Sequence, residues 1–180
     1  MLEPAEAARR AAEVGLPASS AALNVYRMVL HAPPLAQAIA GLTAAGRDAQ
    51  WLTPRLRELV ILRVAWRTGC DYEWSQHWGF GQTQGGLSTD EISWVREGPE
   101  AFEGTDRLVL QSVDDLVDQG RLSHESLAVF PGAAAALETI GVAHAYLMLL
   151  AVLRTFDVPL DEGLTSWPPD GRQPHDHQDE

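Results

Sequence analysis

Glu58-Leu-Val-Ile-Leu-Arg-Val-Ala-Trp-Arg-Thr-Gly-Cys70-Asp-Tyr72-Glu73-Trp-Ser-Gln-His77 is the stretch that decides how this chain folds. Its apolar residues recur at helical spacing, and none of it alternates as a strand would. Thr53-Pro54 upstream reads as a helix start, because Thr caps and Pro suits the first helical position. The helix runs to Arg67 and stops at Gly69. A second helix starts near Cys70-Asp71 and ends around residues 79 to 85. Helical residues advance about 100° each, so Glu58 shares a face with Ile61, Leu62 and Ala65. A carboxylate there is either desolvated, with its pKa raised toward useful proton transfer, or paired with an arginine such as Arg55.

Cys70, Glu73 and His77 follow at i, i+3 and i+7, which makes one stripe. Cys70 lies at a helix start, where the dipole favours a thiolate. His77 exchanges a proton near neutral pH, and Glu73 lies one turn before it. Taken singly, these are a small core residue, a solvated acid and a core histidine. Taken together with Glu58 they point to an acid–base site. Tyr72 is a candidate donor to a substrate carbonyl. His144 and Tyr146 interrupt the last apolar helix and are candidate pocket-lining residues. His175-Asp-His177 resembles a loose metal chelator in a tail.

Outward from this stretch the same helical pattern continues. Helices are expected over 4–14, 24–30, 35–45, from Ser88 to about 98, 105–119, from Ser123, and over 133–156. The chain is therefore expected to be all-α, a single-domain helical protomer. Residues 1–20 read as a partly frayed helical extension, 21–165 as the domain, and 166–180 as a flexible acidic tail. The helices over 56–66 and 140–153 are apolar almost all round. A monomer of 180 residues struggles to bury both, so homo-oligomerisation is expected.

Composition narrows the partners. The formal net charge is −12, and no basic run is present, which disfavours nucleic acid. One Cys excludes an intramolecular disulfide and a multi-Cys zinc site. The N-terminus lacks a signal-type apolar core, and the apolar run 140–153 is shorter than the roughly 20 residues of a membrane span. The expectation is a cytoplasmic protein with a small-molecule substrate and no membrane partner.

The residues from Arg57 to Ser88 resemble the carboxymuconolactone decarboxylase and alkylhydroperoxidase D-like family. The resemblance rests on Arg57-Glu58-Leu59, Gly69-Cys70-Asp-Tyr72-Glu73, His77, and Gly86-Leu87-Ser88 with Glu91-Ile92. Weaker similarity extends over about residues 20 to 163. The redox branch of that family carries Cys-x-x-Cys-x-x-x-His after the glutamate. Here Glu73 stands at the second Cys, so a dithiol–disulfide cycle is impossible. The resemblance implies a helical protomer of the alkylhydroperoxidase D-like type in homo-oligomers, dimers, trimers or hexamers, with sites near subunit boundaries.

The expected chemistry is cofactor-independent acid–base catalysis, a decarboxylation of a small unsaturated lactone or keto acid. His77 is the expected proton donor, and Glu58 orients it or serves as base. Glu73 tunes the pair, Tyr72 polarises a carbonyl, and Arg47, Arg63 or Arg67 anchors a carboxylate. Alternatives are a thiol-dependent peroxidase acting through Cys70 by a sulfenic acid, and an isomerase or cyclase with the same proton shuttle. A metal held by Glu58, Glu73 and His77 is chemically conceivable.

Overall fold

The computed structural model describes residues 1–174. His175 and His177 lie outside the described residues. Among the described residues there are ten α-helices, one 3-10 turn and no strand. They are α1 (Pro4–Glu13), α2 (Ala18–Ala22), α3 (Asn24–Val29), α4 (Pro33–Arg47), α5 (Pro54–Thr68), α6 (Asp71–Thr83), α7 (Thr89–Trp94), α8 (Gly104–Gln119), α9 (His124–Val129) and α10 (Ala133–Thr155). The 3-10 turn spans Pro99–Ala101. Of these, α2 and the 3-10 turn carry too few residues for a periodic signal.

Helix α5 is the axis of the fold. Every residue from Leu56 to Trp66 is buried, because α6, α8 and α10 pack around it. Thr53 caps it, its Oγ1 accepting from the Leu56 N–H, with Pro54 at the first position. Gly69 ends it at φ +66°, a left-handed conformation that glycine adopts without strain. The chain then reverses into α6, so α5 and α6 lie side by side.

The arginines of α5 are each matched by an acid. Arg63 forms a two-point pair with Asp114 of α8 at 2.8 and 2.8 Å. Arg55 reaches Asp106 and Glu91 rather than Glu58. Charged groups enter this core only because such partners meet them. Glu91 also closes the capping box with Ser88 at the start of α7. Glu138 on α10 accepts the N–H groups of Gln50, Trp51 and Leu52, each at 2.9 Å, and so fixes the loop that launches α5.

Three expectations are corrected. The first 20 residues are docked rather than frayed: Leu2, Ala7 and Ala11 are buried in the main core, and the Leu2 N–H donates to the Arg27 carbonyl. Residues 166–174 are also packed. Trp167 is 5% exposed and stacks against Trp66 and Trp74. Its backbone φ is +45°, a strained value for a non-glycine residue, held by the burial of the indole and by its N–H bond to Asp71. Arg96 fastens the same segment, donating to Asp170 and to the Pro168 carbonyl. Finally, α10 is a 23-residue helix, long and apolar enough by length and composition to cross a membrane. In this fold its inner face packs on α4, α5 and α8, and its outer face leaves Leu137 66% exposed, with His144 and Met148 also open.

Candidate active site

A cavity of about 250 Å³ lies between α3, α4, α5, α6 and α10. Its apolar wall includes Leu23, Val25, Leu42, Val142 and Leu149, and its polar end holds Arg57, Glu58, Glu73 and His77. The α5–α6 hairpin creates that polar end. Glu58 sits one turn into α5, and His77 sits in the second turn of α6, so the reversal at Gly69 brings them face to face. Glu58 Oε2 lies 2.6 Å from His77 Nδ1. The other ring nitrogen, Nε2, is 3.4 Å from Glu73 Oε2. The imidazole thus bridges two carboxylates. Phe80 and Tyr146 meet its ring edge-to-face, at 5.4 and 5.3 Å between centroids.

The three groups titrate as a coupled set, and their directions differ. Burial alone would raise the Glu58 pKa. The hydrogen bond and charge of His77, together with Arg57, outweigh it and hold the carboxyl below its ordinary range. Burial would depress His77, but the hydrogen bond to Glu58 and the two carboxylate charges raise it. Glu73 is pushed up by burial, with the His77 charge acting against it. Glu58–His77 therefore holds an ion pair, and Glu73 keeps its proton more readily than an ordinary carboxylic acid.

Gly85 fixes this arrangement from outside the motif. A β-carbon on it would meet Glu58 Cγ at 3.1 Å and the Gly81 carbonyl at 2.7 Å. Only glycine lets the chain after α6 pass this close to the Glu58 stem. In sequence Arg57 stands out only as part of the Arg57-Glu58-Leu59 motif. It is buried, donates to Glu58 and Gln84, and lines the cavity. Its signal was its place beside a buried acid, since a buried carboxylate needs a cation or several donors.

Other expected site residues lie elsewhere or act differently. Cys70 is buried and not part of the cavity lining. Burial pushes its thiol up to about 12; the N–H groups of Glu73 and Tyr72 at the helix start oppose this without offsetting it. The expected thiolate is thus corrected to a protonated thiol. Tyr72 lines the cavity, but its hydroxyl donates to Asp161 at 2.5 Å and accepts from the Val25 N–H. That proton is committed to Asp161, so the expected donor to a substrate is a structural clamp between α6, α3 and the C-terminal segment. His144 faces outward on α10, its Nδ1 3.0 Å from the Ile140 carbonyl. One helical residue is about 100°, so Tyr146, two positions on, points into the cavity while His144 points away.

Arg63 and Arg67 are tied to Asp114 and Asp118, whereas Arg47 borders the cavity. Glu58 and Glu73 address opposite ring nitrogens of His77 and do not converge on a common point. Among the described residues no group of three or more His, Cys, Asp or Glu side chains is arranged to hold a metal ion.

No curated protein matches the chain. Residues 33–113, from α4 into α8 and including Glu58, Glu73 and His77, match the Carboxymuconolactone decarboxylase family.

Proposed function

We propose that this protein is a cofactor-independent acid–base enzyme that decarboxylates a small unsaturated lactone or keto acid. The observation that carries the reading is the imidazole held between two carboxylates in the lining of a cavity. Loss of CO2 from such a substrate leaves its bonding electrons on carbon, delocalised into the adjacent carbonyl as an enolate. That carbon must then receive a proton. Glu73 lines the cavity with Glu58 and, its pKa raised by burial where that of Glu58 is lowered, is the more readily protonated of the two acids. His77 lies between it and Glu58 and resupplies the proton, which comes ultimately from solvent. The Glu58 charge keeps the imidazole protonated and fixes its orientation. Roles are thus divided differently from the sequence expectation, with Glu73 as donor and His77 as relay.

The match over residues 33–113 is compatible with decarboxylase or alkylhydroperoxidase D-like peroxidase chemistry. The buried, protonated Cys70 weighs against the peroxidase, because the thiolate is the nucleophile in that chemistry. An isomerase or cyclase would use the same proton relay without releasing CO2. The outward apolar stripe of α10, with Leu137 and Met148 exposed, favours assembly as a homo-oligomer.

The test is turnover of a panel of lactone and β-keto acids in D2O, following CO2 release and deuterium at the former carboxyl-bearing carbon. Release with one deuterium, lost in both His77→Ala and Glu73→Gln, is the expected result. Deuterium incorporation without CO2 would favour the isomerase. Undiminished turnover in His77→Ala would refute the scheme.

A further inference from the structure

The chain has thirteen arginines and no lysine. Eleven of them have a hydrogen bond or ion pair with a neighbour; among the described residues only Arg47 and Arg121 have neither. Acidic residues number 25, so an arginine without an acid does not reflect a shortage of partners. Of the two, Arg47 alone borders the cavity. It stands in the last turn of α4 and is exposed, so it borders the cavity where the cavity meets solvent.

A second polar group in the same space is also unengaged. Tyr146 lines the cavity, and its hydroxyl has no hydrogen-bond partner among the described residues. Burial and the charges of Glu73 and Glu58 push its pKa above the ordinary range, so it remains a donor. Its ring meets the His77 imidazole edge-to-face at 5.3 Å between centroids, which sets it beside the reacting groups. Leu42, Val142, Ala145 and Leu149 supply apolar wall in the same cavity. Gly46 permits this shape, since a β-carbon there would meet Val142 Cγ2 at 2.7 Å and push α4 off α10.

We infer that Arg47 takes a substrate carboxylate at the mouth, and that Tyr146 donates to a carbonyl oxygen deeper in, so that the cavity selects small oxo-carboxylates over neutral ketones and simple acids. A guanidinium is the natural partner of a carboxylate because its N–H groups match both oxygens. Tyr26 and Gln76 also line the cavity, but of the three only Tyr146 has its ring against His77, and a phenol there suits a carbonyl, which needs one donor and no charge. The inference rests on the acid–base reading for the reaction that follows, but not for binding itself.

The experiment measures binding of three unreactive probes by calorimetry or ligand-observed NMR: 4-oxopentanoate, its methyl ester, and pentanoate. The full chain is used as wild type and as Arg47→Gln, Arg47→Lys, Tyr146→Phe and His77→Ala. Wild type should prefer 4-oxopentanoate over both other probes. Arg47→Gln should weaken it at least about tenfold, the size of a charge-assisted hydrogen bond, and erase its advantage over the ester. Tyr146→Phe should weaken it about fivefold, as for a neutral hydrogen bond, and erase its advantage over pentanoate. His77→Ala should still bind it, so a failure of the catalytic scheme is separable from a failure here. Equal binding of acid and ester by wild type, or an equal loss for both in Arg47→Gln, would overturn the assignment. Unchanged melting temperatures for Arg47→Gln and Arg47→Lys, with Lys restoring part of the binding, exclude a structural origin.

Discussion

Replacing Glu58 by Gln should destabilise the protein, and replacing Glu73 by Gln should not, although the two acids touch the same imidazole. Glu58 is 2% exposed, and it accepts from His77 at 2.6 Å and from Arg57 at 3.2 and 3.3 Å. An amide of the same shape turns an N–H group toward one of these donors and leaves Arg57 buried without its counter-charge. Breaking one partner out of a buried pair loses about 3–5 kcal/mol, and one retained neutral hydrogen bond returns about 1 kcal/mol. The expected loss is about 3 kcal/mol, which for a chain of this size lowers Tm by about 6–12 °C.

The pH dependence gives the sharper check. Folding raises the His77 pKa above its ordinary 6.5, so the stability it contributes is complete below that pH and fades as pH rises through the folded value. Folding lowers Glu58 below its ordinary 4.5, so its contribution is complete above 4.5 and fades as pH falls through the folded value. The deficit of Glu58→Gln should therefore be widest between about pH 4.5 and 6.5. Glu73 has the opposite sense: its raised pKa means wild type loses stability as pH climbs above 4.5, a loss that Glu73→Gln escapes. Thermal melts of the three proteins at one fixed concentration, from pH 4 to 9, measure this. A flat deficit for Glu58→Gln, or a Glu73→Gln protein that falls further behind wild type as pH rises, would refute the assigned charge states.

Four further outcomes are expected. Gly85→Ala should lower turnover more than tenfold with a modest loss of stability, because its methyl group presses on the Glu58 stem at about 3.1 Å; steady-state kinetics and a melt separate the two effects. Native Cys70 should resist alkylation at pH 8 until the chain unfolds, since its thiol is pushed up to about 12, and Cys70→Ser should keep most of the activity; peptide mass spectrometry reads the first and a turnover assay the second. Tyr72→Phe loses the bond to Asp161 and should cost about 1–3 kcal/mol of stability while leaving kcat nearly intact, as denaturant titration and kinetics will report. Trp167→Ala removes the indole stacked on Trp66 and Trp74 and should destabilise by about 3–5 kcal/mol in the same titration.

The helices were legible because their signals are local. Thr53-Pro54, Gly69 and the Ser88–Glu91 box mark their ends with residues that act within one turn, and apolar periodicity supplies the spans. The acidic stripe was legible for the same reason, since Glu73 and His77 are one turn apart on α6. Errors fell where a contact is distant in sequence. Residues 166–174 read as a polar tail, yet Trp167 finds its partners about a hundred positions upstream in Trp66 and Trp74. Tyr72 read as a free donor because Asp161 is 89 positions away.

What the sequence determined by itself was the all-helical class, the α5–α6 hairpin and the presence of Glu58, Glu73 and His77 near one another. Only the tertiary structure decided which side chains remain available for chemistry. It withdrew Cys70, Tyr72, Arg63 and Arg67 by burying them or pairing them, and turned His144 to the outside. It left Arg47 and Tyr146 facing a cavity with nothing to bind. Periodicity assigns a residue to a face of its own helix, but the charge and hydrogen-bonding state of a buried group depends on what the other helices bring against that face.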